Sequence, residues 1–339
     1  MHRRKFLQQT ALVALATPFA RWAPAPKNGQ FMTVNGPLNT AGLGYILPHE
    51  HILVDFVGAD KVSRDRYDRE AVAAVMLPLL IDAKKAGCTA FFDCTPQYLG
   101  RDVQLLQRLS QTVGLPIITN TGLYSARNNM FIPPYAFEQT AEQLAASWIR
   151  EFDEGIEGTG IKPGFIKISV DGHPLTEVNK KIVRAAALTH KATGLTIASH
   201  TGSGQAALEQ LDIVQAEGVA AAAFIWVHAQ NAKTHSYFTE AAKKGAWISF
   251  DGLGWQPADE YLAIIKMMQQ QKLMQQILIS HDAGWYEVGK EGGGKQQPFT
   301  VLFQQLIPKL KTAGFTEKQL EQLFHHNPVA AFSVNKRLV

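Results

Sequence analysis

Two periods alternate along this chain. Short apolar runs rich in β-branched and aromatic residues recur, separated by stretches whose apolar positions repeat every three to four residues. The runs are GYILPHEH (44–51), CTAFFDCT (88–95), LPIITNTG (115–122), GFIKISVD (164–171), GLTIASHT (194–201), AAFIWVHA (222–229), GAWISFD (245–251) and QQILISHD (275–282). The first pattern predicts strands. The second predicts helices between them, such as 101–112, 136–152, 179–192, 204–217, 233–244 and 257–271. Strand–helix alternation of this kind makes a parallel α/β sheet, and eight such units make a (β/α)8 TIM barrel. The sixth run is Ala-rich and has the weakest strand character. Before the first run, Asn35-Gly36 in FMTVNGPL is a hairpin turn signal, predicting a β-hairpin cap on the closed end. After the last, HHNPVAAF puts Asn327 and Pro328 at the N-cap and first turn of a C-terminal helix. No linker interrupts the chain from 31 to 339, which reads as one barrel domain.

In parallel strands that feed helices, chemistry gathers where the strands end. The first run ends in His49-Glu50-His51, and strand alternation turns both histidines to one side and Glu50 to the other. The fourth contains Lys167, flanked by Ile166 and Ile168 and so expected to be buried. The fifth ends in His200, the sixth in His228 and the eighth in His281-Asp282. A single histidine at a strand end is more often a hydrogen-bonded core or rim residue than a ligand. Four of them with an aspartate, all at predicted C-terminal ends, point to a metal. Imidazole and carboxylate donors suit zinc, with cobalt, manganese or iron as alternatives.

Composition narrows the partners. The chain has 339 residues, 46% hydrophobic and 18% charged, enough to bury a large core. Its formal charge of +4 is misleading, because four of its 33 basic residues and none of its 29 acidic ones lie in the first 25 positions. The remainder is neutral, which argues against a nucleic-acid or anionic-membrane partner. That first segment has a basic head, an apolar stretch of about ten residues and a small-residue tail, an export signal rather than a span of about twenty. Arg3 and Arg4, followed by Phe6 and Leu7, resemble a twin-arginine signal, so residues 1–25 predict periplasmic export, with a Sec signal as the alternative. Cys88 and Cys94 fall in one predicted strand, roughly 20 Å apart and beyond disulfide reach, so both are expected to be free buried thiols.

Taken in order, His49-x-His51, Lys167 in IKIS, His200 in ASHT, His228 in WVHA and Asp282 in ISHD resemble the phosphotriesterase family of the amidohydrolase superfamily. The likeness runs from about Thr33 to the C-terminus and includes PLNTAGLGYILPHEHI, GRDV (100–103), TGLY (121–124) and HHNPVAAF. The resemblance implies a hydrolase with two divalent metal ions in the barrel mouth. His49, His51 and Asp282 would hold one, His200 and His228 the other, and an N6-carboxylated (carbamylated) Lys167 would bridge them. A hydroxide held between two such ions attacks a carbonyl or phosphoryl centre, with Asp282 as the base. The substrate implied is a small-molecule lactone, ester or organophosphate, and a homodimer is left open.

Tyr124 in TGLY falls where lactone-hydrolysing members carry a tyrosine near the metals and organophosphate-degrading members tend to have tryptophan. This favours a lactone or related ester, with an organophosphate triester as the alternative. Lactonases usually carry Asp-Arg-Tyr after the seventh strand. Asp251-Gly252-Leu253-Gly254-Trp255 stands there instead, which weakens the case for an acyl-homoserine lactone. The Gly-rich stretch 283–299, with Trp285 and Tyr286 near the ions, predicts a mobile lid. Asp93 would either line the site or make a structural hydrogen bond. Arg101 and Asp102 would cap a helix, Ser203 would start one, and His281 would point away from Asp282. A mononuclear amidohydrolase would lack the bridging lysine, and a decayed metal-binding barrel would have lost a ligand; all six positions are filled.

Overall fold

The computed structural model describes residues 29–232 and 234–339, so the predicted export signal lies outside the described residues. The hairpin forms between β1 (Gln30–Thr33) and β2 (Gly36–Asn39), antiparallel. Each of the eight runs then becomes a strand. They are β3 (Tyr45–Val54), β4 (Cys88–Asp93), β5 (Ile117–Ile118) continuing as β6 (Asn120–Thr121), β7 (Phe165–Ser169), β8 (Ile197–His200), β9 (Phe224–Val227), β10 (Trp247–Phe250) and β11 (Ile277–Ile279). Neighbours pair in parallel from β3 round to β11, with one interruption between β5 and β6 inside the third run. The chain beyond β11 closes the ring on β3, where the Asp282 amide donates to the His49 carbonyl at 3.1 Å. The (β/α)8 barrel is complete. Among the described residues no helix is long and apolar enough to cross a membrane.

Strand alternation sorts the side chains into two cores. Ile166, Ile168, Ile197, Trp226 and Ile248 point outward into the layer between sheet and helices. Phe165, Ala198, Ile225, Trp247 and Leu278 point into the lumen and fill its lower half. Phe31 of the hairpin and Phe332 of the last helix seal that end, with ring centroids 5.3 Å and 4.3 Å from Phe92. Two residues further up β7 and β8, the same lumen-facing positions are Lys167 and His200. The apolar floor and the polar site are successive layers of one periodicity.

Three expectations need correction. Asn327 is no N-cap: it lies inside a continuous helical stretch, and its side-chain amide donates to the Met274 and Ile277 carbonyls at 2.9 and 2.7 Å. It ties the last helix to the strand it packs under. The stretch after Asp282 is partly strand: β12 (Gly284–Glu287) pairs in parallel with β3. Strand alternation then sends Trp285 to the site and Tyr286 to the helix-side core, against the expectation that both approach the ions. Gly284 permits this pairing, since a Cβ there would meet the His51 carbonyl oxygen at 2.0 Å. Between the first two strands of the barrel, a helix forms at Arg69–Ala86. Pro78 interrupts its sequence pattern, yet Val72, Met76, Leu80 and Ala83 still bury one face.

Asp102 caps the helix Val103–Val113 by accepting from the Leu105 amide, and Ser203 caps Gly204–Ala216. Cys88 and Cys94 are free and buried.

Candidate metal centre

The two histidines of β3 enter the lumen through an irregularity. Ile46 faces the lumen and Leu47 faces outward, so strict alternation would turn His49 out as well. A register shift between Leu47 and Glu50 reverses the parity and brings His49 and His51 inward, leaving Glu50 behind. Glu50 is fully buried there. It accepts from the Ser280 hydroxyl, the His281 amide and Nδ1, and the Ala283 amide, at 2.6–3.1 Å. This carboxylate fastens β3 to the chain that carries Asp282, and it turns His281 away from the lumen as expected.

Hydrogen-bond partners assign the ring tautomers. Thr95 donates its hydroxyl to the Leu53 carbonyl, so at 2.7 Å it accepts from His51 Nδ1–H. Asp251 accepts from His228 Nδ1 at 2.7 Å and faces His49 Nδ1 at 3.3 Å. The Nε2 lone pairs of all three rings are thereby left free. Those of His51 and His49 converge on Asp282 Oδ1, at 3.0 and 3.5 Å. Three electron-pair donors facing one another call for a cation, and His49, His51 and Asp282 place their donor atoms within 4.8 Å of one another. An oxygen partner behind each histidine ring is the usual support of a metal site.

The remaining candidates stand beside this group. Lys167 is 1% exposed, and its Nζ lies 3.4 Å from His49 Nε2. The His200 and His228 rings are 4.4 Å apart, and Tyr124 OH lies 2.9 Å from His200 Nδ1. Burial, then the Lys167 charge, push His49 down to about 3, and burial likewise lowers His200, so both rings stay neutral and able to ligate. For His228 the Asp251 contact overcomes burial and raises it. Burial would raise Asp251 in turn, but His228 and His49 hold it well below the usual carboxylate range.

His228 and Asp282 both have left-handed backbones, φ 64° and 53°. Such conformations cost about 1–3 kcal/mol outside glycine and gather at functional sites. The Asp282 carbonyl accepts from two indoles, Trp255 Nε1 at 2.9 Å and Trp285 Nε1 at 2.8 Å. Gly122 at φ 115° lets the TGLY turn lie on β7, since a Cβ there would meet the Lys167 carbonyl at 2.2 Å. All six predicted positions and Tyr124 thus line one cavity of about 120 Å3.

The sequence profile of the Phosphotriesterase family matches residues 29–332. The chain belongs to the phosphotriesterase family. It is 27% identical to the phosphotriesterase homology protein of Escherichia coli, over 85% of this chain and 98% of that one. It is also 27% identical to the aryldialkylphosphatase of Saccharolobus solfataricus, over 87% and 97%. The organophosphorus hydrolase of Deinococcus radiodurans superposes with a TM-score of 0.81 at 25% identity, covering 92% of this chain and all of that one.

Within the family frame, the second layer of residues is what sequence reasoning missed. Asp251 directly follows β10 and orients two histidines, while in the sequence it stands out only as part of a loop motif. Its signal was present, an aspartate at a strand end. Thr95 and Glu50 carry no such signal, because their roles depend on register. Asp93 is resolved as structural: it accepts from the Ile52 amide at 2.8 Å and the Thr95 amide at 3.1 Å, and burial pushes it up to about 6. Phe56 and Arg127, which also line the cavity, carry no strand-end signal in the sequence.

Proposed function

We propose that this chain is a binuclear metal-dependent hydrolase whose natural substrate is a lactone or related small ester. His49, His51 and Asp282 would hold one divalent ion and His200 and His228 the other, zinc being the best match to these donors. Lys167, carboxylated on Nζ by CO2 with loss of protons, would bridge the two as an anion. When bound, two such ions supply a water ionised near neutral pH and polarise the substrate oxygen. The observation that carries this reading is the convergence of His49 Nε2, His51 Nε2 and Asp282 Oδ1.

The protein's own groups do the rest. Asp282, ionised, takes the proton of the attacking water and can return it to the leaving oxygen. Asp251 holds His49 and His228 in the tautomer that presents Nε2. The Tyr124 hydroxyl reaches into the cavity beside His200, where it can donate to a substrate oxygen. The twin-arginine reading of residues 1–25 suits such a site, since that route carries folded proteins with their ions already loaded.

The relatives' names favour a second reading, organophosphate triester hydrolysis. Tyr124→Phe separates the two. A hydrogen bond to a substrate oxygen is worth about tenfold in kcat/KM. If lactones are the substrates, the loss should be about that size on a γ-lactone and distinctly smaller on paraoxon, with metal content equal in both proteins. Equal losses on both would remove the reason to prefer the lactone.

A further inference from the structure

The hydrolytic machinery leaves one charged side chain of the cavity lining without a task. Arg127 lines it near Tyr124 and Trp285, and it makes no ion pair among the described residues. Its guanidinium lies 4.5 Å over the Phe56 ring. Several other arginines are paired: Arg64 and Arg69 with Asp102, Arg66 with Asp55 and Arg101 with Glu151. Contact with an aromatic face steadies a guanidinium but uses none of its N–H donors, which remain free for a planar anion.

The backbone presenting Arg127 is unusual too. Arg127, Asn128 and Asn129 adopt left-handed conformations in succession, φ 57°, 54° and 60°. Residues with a Cβ do not hold this for three positions unless their surroundings impose it. Here the Asn128 amide donates to Asp171 Oδ2 and the Asn129 amide to the Ser125 carbonyl, both at 3.1 Å. The arginine therefore projects from a fixed turn. Below it, Phe56 and Trp285, with ring centroids 5.4 Å apart, form an apolar wall of the cavity, backed by Phe131 6.3 Å from Phe56. The cavity of about 120 Å3 is well below the roughly 300–1,000 Å3 of sites for drug-sized ligands.

We infer that Arg127 selects the substrate: it receives the anionic group (carboxylate, sulfonate or phosphate) of a small ester or amide whose carbonyl lies among His49, His200 and Asp282. The linker between the two ends is short and apolar, as the aromatic wall requires. The reaction assigned to such a substrate rests on the hydrolase reading above; the anion site does not.

The test compares phenyl hydrogen succinate, an anionic ester, with its neutral methyl ester. Wild type, Arg127→Gln and Arg127→Lys are assayed with metal content checked, and ethanesulfonate binding to the same metal-loaded proteins is followed by calorimetry. A charge-assisted hydrogen bond at this exposed position should give wild type at least about a tenfold preference in kcat/KM for the anionic ester. Arg127→Gln should bring that ratio close to one, mainly through KM, and weaken ethanesulfonate binding by a similar factor. Arg127→Lys should keep part of both, having the charge without the planar fork. Wild type that does not discriminate, or Arg127→Gln that discriminates and binds ethanesulfonate as wild type does, would overturn the assignment. If neither ester is hydrolysed while ethanesulfonate binding still depends on Arg127, the hydrolase reading falls and the anion site stands.

Discussion

Lys167→Ala should yield a folded protein that has lost most of its metal and on the order of 10³-fold or more in kcat, since metal polarisation contributes several kcal/mol to such reactions. The reasoning starts from burial. Lys167 is 1% exposed on β7, between Ile166 and Ile168, which are 0% exposed. Its Nζ meets only His49 Nε2 among the described residues, at 3.4 Å, and no carboxylate pairs with it. A buried ammonium without a counterion is expensive, and two neighbouring divalent cations would raise that cost. As a carbamate the same side chain becomes an anion with two oxygens, suited to joining two ions. Its removal therefore takes away a shared ligand and leaves a small gap in the lumen. Acetate or bicarbonate supplied in solution can fill that gap, so metal content and activity should recover in part as either is titrated. Lys167→Ala with wild-type activity and metal would place the bridge elsewhere.

Asp282→Asn should separate binding from chemistry. Burial would raise the Asp282 carboxyl, but the imidazoles of His51, His228 and His49 that face it outweigh burial and hold it below the usual carboxylate range. It is thus ionised and ready to accept a proton throughout the neutral range. Asparagine keeps the volume and an oxygen ligand but cannot take that proton. The backbone should hold its place, because Trp255 and Trp285 grip the carbonyl and the His49 carbonyl takes the amide, neither contact involving the carboxylate. With general-base help worth about 10²–10⁴-fold, kcat should fall by that factor while the fold and much of the metal remain. Steady-state kinetics on metal-matched samples decide it. A metal-replete variant of undiminished kcat would show that another group takes the proton.

The eight runs, the hairpin and the strand-end residues were legible because each is a local signal: a short apolar run, an Asn-Gly turn, a histidine where a strand stops. What stayed hidden depends on register and on contacts between distant segments. The parity reversal between Leu47 and Glu50 has no sequence signature, although it delivers His49 and His51 to the lumen. Asn327 looked like an N-cap because Asn-Pro often starts helices, yet its amide is taken by carbonyls some fifty residues away. The stretch after Asp282 read as a lid from its glycines, while the pairing of Gly284–Glu287 with β3 is visible only in three dimensions. Arg127 was invisible for the same reason: Asn128 and Asn129 tolerate left-handed backbone, but nothing local places three such residues in succession beside the cavity.

Elemental analysis of the purified protein, dialysed free of loose metal and assayed alongside, tests the central claim most directly. The account predicts close to two divalent ions per chain, activity that vanishes on chelation, and recovery that is complete only at the second equivalent. Full activity at one ion per chain, or in a metal-free protein, would contradict it.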